Sequence, residues 1–160
     1  MSKSQNLVEN IKESPLYELY PKDISKFRYF TTNINVRWDE MDSNSHINYA
    51  RYMDYFSEAR FMALGTDVLT NLKKRSIGPV IYKADIDYIN ELIHPNAINI
   101  LTWMDELLGK TRCSISQNIY SITENKIIAK AKFKAIFMDL NKRRPVKLPI
   151  ELIDRFLIKE

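Results

Sequence analysis

The feature that most constrains the fold is a strict alternation of side chains over residues 127–138. Every second residue there is apolar, whereas the positions between them include three lysines. Because successive side chains of a β-strand point to opposite faces, this pattern predicts a strand with one dry and one largely wet face. The predicted dry face consists of Ile127, Ala129, Ala131, Phe133, Ala135 and Phe137.

Alternation in three earlier stretches, residues 29–38, 80–89 and 111–123, predicts further strands. Residues 98–108 are another strand candidate, with apolar and polar residues mixed on both faces. In residues 29–38 the pattern places Val36 and Trp38 on the inner face. Turn-forming residues such as Gly109-Lys110 separate the later stretches, and short turns make consecutive strands antiparallel neighbours. We therefore expect one antiparallel sheet in which the last four strands follow each other in chain order.

A single long helix is predicted from Tyr49 to Gly65. Apolar residues recur up to Ala63 at the spacing of one helix face, and that face must be buried. Ser45 is the expected N-cap, and Gly65 stands where a left-handed residue commonly ends a helix. Residues 66–76 are polar and include three consecutive bases, so we expect a solvated loop there.

Together these elements predict an α+β fold, a curved antiparallel sheet wrapped around one long central helix. The alanines on the dry face of the last strand allow that helix to approach closely. Residues 1–27 are expected to form an N-terminal extension, and residues 28–160 a single domain. Residues 151–158 predict a short terminal helix.

Composition narrows the possible functions. The chain has 160 residues and a formal net charge of +4, without the basic recognition helix or zinc-ligand spacing that indicates nucleic-acid binding. With two histidines in the chain, we expect no metal site. The single cysteine, Cys113, falls in an alternating stretch and is expected to be a buried thiol, which suits a cytoplasmic protein. No segment predicts a secretory signal or a membrane span.

A polar loop precedes the helix and carries Asp42, Asn44, His46 and Asn48. The first amides of an α-helix lack intrahelical acceptors and lie at the positive end of the helix dipole. A carboxylate beside them can act as a general base or nucleophile while the amides stabilise developing negative charge. The alternative is that these residues only form a turn and a cap, which Asp, Ser and Asn favour.

The loop and the helix together resemble the motif of a known family. The pattern is Asp-x-Asn-x-His-x-Asn over residues 42–48, followed by Phe-x-Glu-Ala-Arg over residues 56–60. It is similar to that of the hotdog-fold acyl-CoA thioesterases, above all the hydroxybenzoyl-CoA thioesterase type, which includes small bacterial enzymes of the Tol-Pal neighbourhood. The resemblance covers residues 28–150. Many of the small bacterial enzymes have a histidine where this chain has Tyr49.

The resemblance implies an acyl-CoA thioesterase, with CoA as part of the substrate and no other cofactor. Asp42 matches the working carboxylate of the family. The plant acyl-carrier-protein thioesterases carry an Asp-x-Asn-x-His group that matches the same stretch, which implies supporting catalytic roles for Asn44 and His46. Two alternatives stay open: hydrolysis of acyl-carrier-protein (acyl-ACP) thioesters, and acyl-thioester binding without turnover.

The resemblance also suggests substrate contacts and an assembly. Asn48 and Tyr49 lie beside the expected site and are candidate substrate-binding residues. Lys130, Lys132 and Lys134 are candidates for binding the phosphates of CoA, although lysines on a strand face are usually solvated. A homodimer or tetramer is implied, and an isolated sheet would leave strand edges unpaired.

Overall fold

The computed structural model describes residues 11–22 and 27–158. Within these residues the chain forms a six-stranded antiparallel sheet and a long helix. The strands are β1 (Tyr29–Asn35), β2 (Ile77–Tyr88), β3 (Ala97–Leu108), β4 (Arg112–Ser121), β5 (Lys126–Asp139) and β6 (Arg144–Pro145). The helices named here are α1 (Tyr49–Leu64), α2 (Thr66–Lys74) and α3 (Ile150–Phe156). None of the helices in this part of the chain has the length and apolar character needed to cross a membrane.

The strands lie in the order β1-β3-β4-β5-β2, and β6 pairs with β5. The prediction that consecutive strands are neighbours is confirmed for β3, β4 and β5. It is wrong for β2 and β3, because residues 89–96 connect them across the sheet rather than through a tight hairpin. β2 pairs with β5 at one edge of the sheet, and β3 pairs with β1 at the other.

The central helix α1 buries most of the predicted face against the sheet, but the prediction is wrong for Tyr49 and Met53, which are 70% and 39% exposed. Its buried residues are Tyr52, Tyr55, Phe56, Ala59, Ala63 and Leu64. Phe56 packs edge-on against Phe133 of β5, with ring centroids 5.4 Å apart, and both side chains are fully buried. The predicted fold class, a curved antiparallel sheet around a central helix, is confirmed.

The alternation of β5 is confirmed from Ala129 to Phe137, but the prediction is wrong for Ile127. Ile128 packs in the core with α1, whereas Ile127 packs with Tyr120 on the opposite face, because the register of β4 and β5 shifts beside Ile119. Ala129, Phe133 and Ala135 are fully buried on the side of α1, whereas Lys130 and Lys132 are exposed on the other side. Cys113 lies opposite Ala135 in β4 and is a buried free thiol, as predicted. Burial raises the pKa of the Cys113 thiol to about 12, so the thiol is neutral at physiological pH.

The predicted solvated loop over residues 66–76 is wrong, because most of it forms helix α2. Val68 and Leu72 are four residues apart and both are buried, so the segment has one apolar stripe despite its polar composition. Gly65, at a φ of +79°, separates α1 from α2 in a conformation that favours glycine. The basic end of α2 is partly neutralised, since Arg75 forms an ion pair with Glu151 of α3.

The first strand ends earlier than predicted. Val36 is buried as expected, but Trp38 is 71% exposed rather than inward-facing. The chain turns at Trp38–Glu40 into a short 3-10 helix, and the Glu40 carboxylate accepts a hydrogen bond from the Arg37 backbone N–H at 2.8 Å. The strand therefore ends at Asn35, three residues before the predicted end.

Part of the N-terminal segment covers the sheet face opposite α1. Ile11, Leu16 and Tyr20 pack with apolar side chains of β3 and β4. The Tyr20 hydroxyl donates to Asn99 Oδ1 at 2.7 Å, and its ring packs edge-on against Tyr120. Residues 1–10 of the predicted extension lie outside the described residues, and its treatment as a unit separate from residues 28–160 stays a prediction.

Candidate functional site

A tight loop before α1 brings the predicted polar residues together. The Asp42 carbonyl accepts from the Ser45 N–H at 3.0 Å, and the Asp42 N–H donates to the His46 carbonyl at 2.9 Å. Ser45 adopts a positive φ of 62°, which reverses the chain. After this reversal the chain is held in place at Ile47. Its side chain is buried, and its N–H donates to the Leu92 carbonyl at 2.7 Å.

The N-cap of α1 is Asn48, so the prediction of Ser45 is wrong. The Asn48 side-chain oxygen accepts from the Ala50 N–H at 2.9 Å. Ser45 cannot cap the helix, because the reversal of the loop places three further residues before the first helical turn. Asn48 therefore has the structural role of a helix cap, one of the two roles that the sequence left open for it.

Two neighbours hold the Asp42 carboxylate in place. Oδ1 accepts from the Asn44 backbone N–H at 2.9 Å, and Oδ2 lies 3.3 Å from the Asn48 side-chain nitrogen, which donates to it. Asn44 thus acts on Asp42 through its backbone, while its own side chain is exposed. The half-buried carboxylate is oriented by donors but keeps lone pairs for a further proton or a carbon centre.

His46 is paired with a residue that the motif did not indicate. Its Nε2 lies 2.8 Å from Oε2 of Glu91, in the connection between β2 and β3. The structure shows no hydrogen bond from the imidazole to Asp42. No local sequence signal marks Glu91, because its position depends on the path of residues 89–96 across the sheet.

A cleft joins these groups to the start of α1. It has a volume of about 290 Å³. Its lining residues are Asp42, His46, Ile47, Tyr49, Tyr52, Tyr88, Ile89, Asn90, Glu91 and Leu92. The Tyr49 N–H, the first amide of α1, has no acceptor in the part of the chain that the structure describes. The cleft therefore places the Asp42 carboxylate beside the first residue of α1. A carboxylate and a helix-terminal amide are the two groups that addition to a carbonyl requires.

Glu40 ties this loop to the helix. Its Oε2 accepts from the Tyr55 hydroxyl at 2.6 Å, and its backbone carbonyl accepts from the Asn48 N–H at 2.9 Å. Burial, together with this hydrogen bond to a carboxylate, raises the pKa of Tyr55 well above its usual value. The sequence offered no signal for this contact, which spans fifteen residues and requires the turn at Trp38–Glu40.

The three candidate lysines do not line the cleft. Because Ala129 and Ala131 face α1, Lys130, Lys132 and Lys134 project from the opposite face of the sheet. Lys132 Nζ lies 2.9 Å from Asp105 Oδ2, and this contact raises the pKa of Lys132. Their role in binding CoA stays a prediction.

Two arginines lie closer to Asp42 than these lysines do in the fold. Arg37 and Arg51 line a second, polar cavity of about 540 Å³ that Asp42 and Asn48 also border. Each arginine is exposed and forms an ion pair with a nearby aspartate. Among the residues that the structure describes, no group of three or more histidines, cysteines or carboxylates is arranged to hold a metal ion.

Comparison with known proteins identifies the family. The model of the thioesterase-like superfamily matches residues 36–156. The chain is 27% identical over 125 residues to the long-chain acyl-CoA thioesterase FadM of Escherichia coli strain K12, an alignment that covers 78% of this chain and 94% of FadM.

Solved structures show the same fold. The probable thioesterase YbaW from Escherichia coli superposes with a TM-score of 0.69 at 25% identity, over 78% of this chain and 94% of that chain. A mutant 4-hydroxybenzoyl-CoA thioesterase in complex with 4-hydroxybenzoyl-CoA gives a TM-score of 0.70 at 15% identity, over 79% and 97% of the two chains. This chain therefore belongs to the thioesterase-like superfamily and is a thioester hydrolase with the hotdog fold.

Proposed function

We propose that the chain hydrolyses acyl-CoA thioesters to a free acid and CoA, with Asp42 as general base or nucleophile. The observation that carries the proposal is the Asp42 carboxylate, oriented by two donors, in a cleft that Tyr49, the first residue of α1, also lines. The similarity to FadM, whose name gives long-chain acyl-CoA as its substrate, supports CoA as the thiol carrier.

Hydrolysis requires one proton acceptor and one oxyanion site. As a general base, Asp42 takes a proton from water while the oxygen of that water attacks the thioester carbonyl. The Tyr49 N–H then donates to the carbonyl oxygen as it gains negative charge. Collapse breaks the C–S bond and releases a thiolate, whose reference pKa of about 8.5 makes it a good leaving group without a strong general acid.

His46 assists this chemistry through its position rather than as the base. Its imidazole borders the cleft but bonds Glu91, so we expect His46→Gln to lower kcat by about tenfold, less than loss of Asp42. Glu91→Gln is the matched variant, because it keeps the size of the partner and removes its charge. Steady-state kinetics with one acyl-CoA measure this effect. If kcat falls as far in His46→Gln as in Asp42→Asn, His46 is the base.

The carrier of the acyl group separates this proposal from its nearest enzymatic rival. Matched acyl groups on CoA and on acyl-carrier protein differ only in what contacts the surface around the cleft. We expect the larger kcat/KM with acyl-CoA. A clear preference for the acyl-carrier protein would assign the chain to acyl-ACP hydrolysis, and binding of either thioester without turnover would leave a binding protein.

The functional unit is proposed to be a homodimer or a tetramer. β2 is an edge strand of twelve residues, with Val80, Tyr82 and Tyr88 each more than two-fifths exposed. An edge this long and apolar is a surface for strand pairing with a second copy. Light scattering should give at least twice the 18.9 kDa of one chain, and Val80→Asp should shift the mass toward the monomer. A monomeric wild type would contradict this assembly.

The proposal also includes the cellular compartment in which the reaction takes place. The buried, unpaired thiol of Cys113 fits a reducing compartment, so we place the enzyme in the cytoplasm. The hydrolysis proposed above requires only water, a carboxylate and amide donors. CoA takes part as a portion of the substrate.

A further inference from the structure

A partly open cavity lies between the C-terminal half of α1 and the sheet, away from Asp42. Its volume is about 150 Å³. Apolar side chains form most of the wall: Leu64, Ile81, Met104, Cys113, Ile115, Phe137, Leu152 and Phe156. Ser57 is the first residue of α1 to line it, roughly 12 Å along the helix from Tyr49 at about 1.5 Å per residue. The cavity is therefore distinct from the Asp42 cleft and lies farther along α1.

Arg60 is the charged side chain that lines this cavity. One of its terminal nitrogens donates to Gln117 Oε1 at 2.8 Å, and the other donates to Ser57 Oγ at 3.5 Å. The guanidinium lies 4.3 Å from the ring centroid of Phe133. A guanidinium carries five N–H donors, so these contacts leave donors available. Burial lowers the pKa of Arg60 to about 10, which reflects the cost of holding a cation in apolar surroundings.

No ion pair among the described residues includes Arg60. Arg37, Arg51 and Arg75, which are more exposed, each pair with a carboxylate. A buried charge is costly unless it is paired, and a carboxylate is the partner whose two oxygens match the guanidinium fork. The charge and the wall of the cavity together define a ligand with one anionic and one apolar part.

We propose that this cavity binds a carboxylate attached to a short apolar or aromatic body, with the carboxylate on Arg60. The size is suitable, because a cavity of about 150 Å³ lined by apolar side chains admits benzene. Phe61 and Pro79 are exposed lining residues on α1 and β2, so the entrance lies between these elements. Thr102 Oγ1 accepts from the Gln117 side chain at 2.9 Å, which leaves its O–H to donate to the ligand.

Two sources can supply such a carboxylate. One is a free carboxylic acid, including a product of thioester hydrolysis. The other is an acyl group with a second carboxylate at its far end, and this source rests on the proposed function. Both place the same chemistry on Arg60.

The binding test compares benzoate with benzyl alcohol, which has a similar body but no charge. Calorimetric titration of the full-length wild type should show benzoate binding about tenfold or more tightly. Arg60→Gln should remove that preference and keep the affinity for benzyl alcohol, whereas Asp42→Asn should retain benzoate binding. Equal affinity for the two ligands in the wild type, a result that requires no variant to fold, would overturn the proposal.

A kinetic test separates the two sources. Dodecanedioyl-CoA and dodecanoyl-CoA have acyl chains of equal length, long enough to span the roughly 12 Å along α1, and dodecanedioyl-CoA adds a terminal carboxylate. A lower KM for dodecanedioyl-CoA that disappears in Arg60→Gln supports the distal carboxylate, whereas benzoate binding combined with a preference for dodecanoyl-CoA supports the free acid. If benzoate binds at Arg60 but neither thioester is hydrolysed, the acyl-CoA function fails and the cavity assignment stands.

Discussion

Asp42→Asn is expected to lower kcat for acyl-CoA hydrolysis by about 10²- to 10⁴-fold. The substitution keeps the shape of the side chain, and the amide oxygen can still accept from the Asn44 N–H. It removes the charge that accepts a proton from water or attacks the carbonyl. Release of CoA thiol, followed with a thiol reagent under saturating substrate, measures the loss.

Asp39→Asn provides the matched control for this result. Asp39 lies three residues earlier, is exposed, and forms an ion pair with Arg37 at 3.1 Å. A surface pair of this kind contributes little to stability, so activity and folding should change little. An Asp42→Asn enzyme that folds and keeps the wild-type rate would remove Asp42 from the mechanism.

The largest effect on stability is expected from Phe56→Ala. Phe56 is fully buried on α1 and packs against Phe133, so the truncation removes apolar contacts and leaves a cavity at the centre of the core. The free energy of unfolding should fall by about 3–5 kcal/mol, a large part of the stability of a typical domain. Denaturant unfolding at a fixed protein concentration measures the change.

Phe61→Ala is the control on the same helix. Phe61 is 55% exposed, so the same truncation should cost less than about 1 kcal/mol. Equal losses at the two positions would mean that α1 does not present the face described above to the sheet.

The fold was largely predictable because its strands and central helix have one wet and one dry face. The alternation of β5 and the helical spacing of α1 depend only on which side is buried, and both patterns are local. The place of β2 at the sheet edge was not predictable in the same way. It depends on how residues 89–96 cross the sheet, and nothing in their composition distinguishes a crossover from a hairpin.

The helix α2 was missed for a different reason. The three bases at its end dominate its composition, while only Val68 and Leu72 record the burial of one face. Two apolar residues four apart are a weak signal, and the surface that buries them is contributed by distant parts of the chain.

In the candidate site, too, the local contacts were predictable and the distant contacts were not. Asp42, Asn44, His46 and Asn48 lie within seven residues, so a motif could indicate that they meet. The Glu91 partner of His46 and the Glu40 contact of Tyr55 follow from tertiary structure. The outward direction of the lysines follows from the alternation of β5: with the alanines against α1, the side chains between them must face away.

The measurement that tests the central claim most directly is release of free thiol from short, long and aromatic acyl-CoAs by the wild-type protein. We expect turnover of at least one class, with rates that rank the acyl groups and with loss of turnover in Asp42→Asn. Intact thioesters across the whole panel, with acyl-CoA still bound, would contradict the proposed acyl-CoA thioesterase activity.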